Sequence, residues 1–94
     1  MERPDLYVLA RFLDVLHESG QPMKKTNLQL RVGLNYPRFM EYLEWLISHG
    51  FVLQKKEEGS GNAGTDLYSL SPQGLDAYHR LVAWIRETMK GMRI

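Results

Sequence analysis

The chain has 94 residues, with twelve Lys and Arg against eleven Asp and Glu, for a formal net charge of +1. That length supports one domain around one core, and near-neutrality excludes polyanion binding driven by overall charge, so any basic surface has to arise by local segregation. The absence of cysteine excludes disulfides, Cys-ligated zinc and thiol nucleophiles, and no stretch approaches the roughly 20 apolar residues that span a bilayer. With no basic-then-apolar leader at the N-terminus, the expected location is the cytoplasm.

From about Asp5 to Ser19 the residues Leu6, Leu9, Ala10, Leu13 and Leu16 recur at helical spacing, and Gly20 with Pro22 supplies a stop. A second set, Val8, Phe12 and Val15, lies beside the first. A helix apolar over so wide an arc predicts packing partners on two sides. Gln21 to Met23 is too short to assign, although a winged helix often pairs such a segment with its later hairpin.

A second helix is expected over about Lys24 to Val32, with Leu28, Val32 and, in the following turn, Leu34 facing the core. Leu30 falls off that face, and the pattern gives no reason for it. Gly33 stands where the backbone needs a positive φ. Asn35 fits the N-cap of a third helix, because its side-chain oxygen accepts an orphan N–H of the first turn, and Pro37 suits that turn. On a helical wheel Tyr36, Phe39, Met40, Leu43, Leu46 and Ile47 form the core side, leaving Pro37, Arg38, Glu41, Glu44, Trp45 and Ser48 outward.

After Gly50, residues 51–56 read as a strand, 57–65 as a glycine-containing loop and 66–70 as a returning strand, which together make a wing. Ser71-Pro72 is a helix-start signature for a fourth helix running to about Lys90. In it Leu75, Tyr78, Val82, Ile85, Met89 and Met92 alternate at steps of three and four, a heptad face expected to meet a second chain; Ala77, Leu81 and Trp84 widen the stripe, so that one flank of the helix can cover helix 1 while the other is left for the partner. The fold class expected is mainly α with a small β-hairpin (α+β), a winged helix-turn-helix over 1–71 followed by a C-terminal dimerisation helix over 72–94.

Between Ser19 and Met40 lie Lys24, Lys25, Arg31 and Arg38 with no acid among them. This local segregation predicts phosphate contacts from the helix-turn-helix, joined by Lys55 and Lys56 at the base of the wing. Asn35, Tyr36 and Arg38 enter first, since the second helix of the motif presents its N-terminal residues to the major groove, and the fork of Arg38 matches guanine O6/N7. Glu41 and Glu44 oppose phosphates unless Glu41 accepts from a cytosine amino group. Trp45 is expected against the wing or a partner. His17 and His49 are expected to cap helix C-termini, and His79 to form a surface pair with Asp76. No catalytic motif, metal-ligand spacing or phosphate-binding glycine loop stands out, so neither enzymatic activity nor a cofactor is expected.

Through Lys25-Thr26, the Leu34-Asn35-Tyr36 turn, Tyr42-Leu43 with Leu46, His49-Gly50-Phe51 and the run Tyr68-Ser69-Leu70-Ser71-Pro72-Gln73-Gly74, the chain resembles the archaeal winged-helix family typified by the small ten-kilodalton, a-type DNA-binding proteins of Sulfolobus. The resemblance implies a homodimer joined by an antiparallel coiled coil of the last helices, contact with double-stranded DNA, and a role in transcription regulation or nucleoid organisation. Two other readings use the same residues. One is a protein-interaction adaptor working through helix 3, Trp45 and the apolar side of helix 4; the other is an effector sensor with a small molecule between helices 1 and 4.

Overall fold

The computed structural model describes residues 3–56 and 66–88. In chain order these form α1 (Leu6–Ser19), β1 (Met23–Lys24), α2 (Lys25–Val32), α3 (Tyr36–Ser48), β2 (Val52–Lys56), β3 (Asp66–Leu70) and α4 (Pro72–Thr88). Local chemistry sets most of the boundaries. The Asp5 carboxylate accepts from the N–H groups of Tyr7 and Val8 and starts α1, and Gly20 ends it in the left-handed region. Gly33, at φ 81°, ends α2 and donates its N–H to the Gln29 carbonyl at 2.9 Å. Asn35 caps α3 as expected, its side-chain oxygen accepting the Arg38 N–H at 3.0 Å.

The three strands form one antiparallel sheet in the order β1-β3-β2. Met23 and Lys24 of β1 pair with Tyr68 and Leu67, so the short segment before α2 does join the later hairpin. On the other side of β3, Val52 pairs with Leu70, Gln54 with Tyr68, Lys55 with Leu67 and Lys56 with Asp66. Tyr68 is buried at the centre of the sheet, with Met23 and Gln54 as its cross-strand neighbours.

The core brings together Phe12, Leu13 and Leu16 of α1, Leu28 and Val32 of α2, and Phe39, Leu43 and Leu46 of α3 with Met23, Val52 and Tyr68 of the sheet. Phe12 and Phe39 stack with their ring centroids 5.4 Å apart. The two apolar stripes of α1 are both used, one against α2 and β3 and the other against α4. Burial of these side chains, each worth roughly 1.5–3 kcal/mol relative to exposure, fixes the pose of α3.

Two assignments of the helical wheel are corrected. Tyr36, placed on the core side of helix 3, is 53% exposed, because at the first helical position no element covers it. Tyr42, left out of that core, is buried, and its hydroxyl oxygen accepts the Asp5 N–H at 2.9 Å. A phenol satisfies its polar end through a partner distant in sequence, which periodicity does not reveal.

The end of α3, the start of β2 and the start of α4 meet at Ser71. Its hydroxyl donates to the Gly50 carbonyl and accepts the Gly74 N–H at 2.9 Å, while its own N–H donates to the Phe51 carbonyl at 3.1 Å. Gly74 is required here: a Cβ at that position would lie 2.0 Å from the Phe51 carbonyl oxygen.

Candidate nucleic-acid interface

With Phe39, Tyr42, Leu43 and Leu46 buried, a rotation of roughly 100° per residue turns Pro37, Glu41, Glu44 and Ser48 directly outward, and all four are exposed. The two α3 residues expected to read bases alongside Asn35 lie on opposite flanks of that face. Arg38 folds its guanidinium over the Tyr42 ring, 5.6 Å from the centroid, and with Arg3, Asn35, Pro37, Glu41 and Tyr42 lines a shallow depression of about 330 Å³. Tyr36 lies on the other flank, close enough to the Tyr68 hydroxyl to influence its ionisation. The side-chain oxygen of Asn35 is occupied by its capping role.

The basic residues also divide. Lys25 lies near the Tyr68 hydroxyl; burial raises that hydroxyl's pKa, and the Lys25 charge opposes the rise. Arg31 pairs with Glu18 of α1 at 3.8 Å across an exposed surface, a contact of the kind worth about 1 kcal/mol or less. Because successive strand side chains alternate in face, the register places Lys24, Leu67 and Lys55 in one row on the outer face of the sheet. Lys56 falls on the inner face opposite Asp66; the Asp66 Oδ2 accepts from Gln54 at 2.9 Å, and its Oδ1 is buried without a hydrogen-bond partner among the described residues. The start of α2 and the root of the wing line an open groove of about 520 Å³ with Lys24, Lys25, Thr26, Asn27, Leu30 and Asp66. Leu30, unexplained by the pattern, is 76% exposed and points outward from α2.

Trp45 is half-buried at the root of the wing, its ring 4.0 Å from that of His49 and 6.1 Å from that of Phe51. His49 occupies the C-cap of α3 as expected, with Nδ1 2.8 Å from the Trp45 carbonyl oxygen. His17 stands in the last turn of α1, but its ring stacks on Tyr78 at 4.5 Å and meets His79 edge-on at 5.8 Å. The expected Asp76–His79 pair is replaced by Asp76–Arg80 at 3.0 Å, because the His79 ring is drawn to α1. Tyr78 donates its hydroxyl to Asp14 at 2.6 Å. Burial first, and then this bond and the Asp14 charge, push the Tyr78 hydroxyl up to about 12. The sequence pattern gave no signal for this contact, since the partners are far apart in the chain.

The heptad face expected to meet a second chain is largely turned inward. Tyr78, Val82 and Ile85 are buried within the chain itself, while Leu75 remains partly exposed. Met89 and Met92 lie outside the described residues. Beside that face, Ala77, Leu81 and Trp84 form a parallel stripe in which Trp84 is 49% exposed. Among the described residues no group of three or more His, Cys, Asp or Glu is placed to hold a metal ion, and no helix is long and apolar enough to cross a membrane.

Comparison with known proteins agrees with this architecture. The PcaV transcriptional regulator from Streptomyces coelicolor superposes with a TM-score of 0.73 at 21% identity, covering 85% of this chain and 57% of that one. NadR in complex with 4-hydroxyphenylacetate gives 0.69 at 19% identity, covering 84% and 54%. The adhesin competence repressor from Streptococcus pyogenes gives 0.66 at 13% identity, covering 87% and 58%. This chain therefore spans just over half the length of these proteins, and at such identities the likeness is one of fold. No curated protein matches the sequence. The family model described as winged helix-turn-helix matches residues 3–90, nearly the whole chain, and the chain belongs to that family.

Proposed function

We propose that the chain is a homodimeric, double-stranded DNA-binding regulator of transcription or nucleoid organisation, acting on DNA in the cytoplasm. The observation that carries this reading is the presentation of α3. Its apolar side is buried, its polar side is open along the whole helix, and cations stand on both flanks, with Arg3 and Arg38 on one and Lys25 on the other. A rigid helix of this width fits the roughly 12 Å major groove, and the flanking cations meet the phosphates on either side of it. Lys24, Arg31, Lys55 and Lys56 add charge at the periphery. Lys25-Thr26 at the start of α2, the Leu34-Asn35-Tyr36 turn and the Ser71-Pro72 start of α4 occupy the structural junctions of the fold, which supports a place beside the archaeal a-type proteins.

The dimer is proposed through the flank of α4 formed by half-buried Leu81 and exposed Trp84, with Ala77 one turn before Leu81 on the same side. In an antiparallel self-pairing about an axis between them, Leu81 faces the partner's Trp84 and Arg80 faces the partner's Glu87, twice by symmetry. Two linked modules make the second DNA contact intramolecular and raise avidity.

The test is a mobility-shift series on duplex DNA across salt concentrations. Binding should weaken with a log–log slope of roughly 0.9 per phosphate neutralised; absence of any shift at low salt refutes the reading. Leu30, standing straight out of α2 with 76% exposure, favours a second reading as a protein-interaction adaptor. Stoichiometric co-purification of a partner lost on Leu30→Asp, without any DNA shift, would establish that instead.

A further inference from the structure

We propose that α3 reads DNA through the carboxylates of Glu41 and Glu44, selecting base pairs that offer an amino group in the major groove, cytosine first. The inference rests on the DNA-binding reading and reverses the expectation that Arg38 reads guanine.

The argument is one of availability. Asn35 spends its side-chain oxygen on the cap of α3, and Ser48 donates its hydroxyl to the Trp45 carbonyl at 2.9 Å, at the far end of the helix. Arg38 lies over Tyr42 on a flank, where its charge is suited to a phosphate rather than to a base edge. What remains at the centre of the outward face is Glu41 and Glu44. Both are exposed, and the ion pairs of the described residues join Arg31 to Glu18 and Arg80 to Asp76, leaving these two carboxylates uncommitted.

An ionised carboxylate only accepts hydrogen bonds. Guanine presents two acceptors in the major groove, so it is repelled, whereas cytosine N4 and adenine N6 each present donors. Three residues advance a helix by about 4.5 Å, close to the roughly 3.4 Å between base pairs along one strand, so the two carboxylates match neighbouring steps. Arg38 and Arg3 beside Glu41, and Lys25 across the helix, supply the phosphate attraction that lets two negative groups approach the duplex. On this scheme the acidic outward face gives discrimination, and the cationic flanks give affinity.

The experiment selects bound duplexes from a random pool with the full chain and with its Glu41→Gln and Glu44→Gln variants. Titrations follow on the selected duplex and on a copy carrying N4-methylcytosine at one of the selected positions. The wild type should enrich cytosine at neighbouring positions and lose roughly tenfold in affinity on the methylated copy, the order expected for one base contact. Each glutamine variant should shift its own position toward adenine, because an amide both accepts and donates. If the carboxylates act only as bulk negative charge, both variants gain affinity equally for all sequences with the base ranking unchanged, and the proposal fails. Enrichment of A·T pairs over G·C at those positions, or unchanged affinity on the methylated copy, also overturns it. Absence of any duplex binding by the wild type overturns the DNA-binding reading together with this one, which separates the two failures.

Discussion

Replacing Ser71 by alanine removes one oxygen that holds three chain segments together. The side chain is buried, and the hydroxyl makes two bonds: it accepts the Gly74 N–H as the cap of α4 and donates to the Gly50 carbonyl at the end of α3. Loss of an N-cap costs about 1 kcal/mol, and leaving a carbonyl without its donor in a buried site costs about 1 kcal/mol more. The two add to about 2 kcal/mol, since they concern different bonds of one atom. Urea unfolding followed by circular dichroism at fixed protein concentration measures it. With a slope of about 1 kcal/mol/M, at the low end of the range for small domains, the midpoint should fall by roughly 2 M with the slope unchanged. Ser71→Thr keeps both the cap and the donor and should recover most of the loss. A midpoint for Ser71→Ala within about 0.5 M of the wild type would show that the junction is held by packing alone and would refute the reasoning.

Three further outcomes are expected. Gly74→Ala drives a methyl group into the Phe51 carbonyl oxygen, so α4 must lift from the start of β2; thermal melting should show a loss of at least about 3 kcal/mol or no folded state, and a near-normal melt would contradict the close approach. Tyr78 is held protonated by burial and Asp14 up to about 12, above the ordinary value of about 10. A pKa raised on folding stabilises below the unfolded value, so this contribution, about 3 kcal/mol at most for two units, stays constant at neutral pH and is lost as pH rises from 10 through 12. Subtracting the profile of Tyr78→Phe from that of the wild type should isolate the loss in alkaline unfolding curves, and identical profiles would show that the hydroxyl ionises freely. Trp84→Asp should convert the chain to a monomer in light scattering without changing its far-ultraviolet spectrum, whereas a dimer that survives it would remove the α4 stripe from the interface.

The features legible in the sequence were those decided within one turn of chain. Asn35 with Pro37 announced α3, Ser71 with Pro72 announced α4, and Gly33 marked a left-handed residue, because caps and turns depend on side chains two to four positions away. Periodicity was good at finding buried stripes and blind to what buries them. Tyr78, Val82 and Ile85 looked like a seam for a second chain, yet they are buried within this one, where α4 packs on α1. The basic residues were correctly gathered as a cluster in sequence, but their division among the outer sheet face, the Tyr68 hydroxyl and the Arg38 flank depends on strand register and on helix rotation. Neither can be read until the partners are known. Arg38 illustrates this: its guanidinium lies over the Tyr42 ring, and Tyr42 was absent from the core side expected for the helix.

The sheet order also sets when this protein can become competent. β1 immediately precedes α2 and β2 closely follows α3, and each is paired to β3. The helix pair therefore belongs to a loop whose two ends are joined only through a strand that arrives later in the chain. Until Asp66–Leu70 has been made and seated, the segment carrying Glu41 and Glu44 has one end untied, and closing so long a loop must be compensated by the burial of Tyr68. On the ribosome the surface proposed to read DNA is thus assembled after its own residues have been made, by a strand that takes no part in the reading.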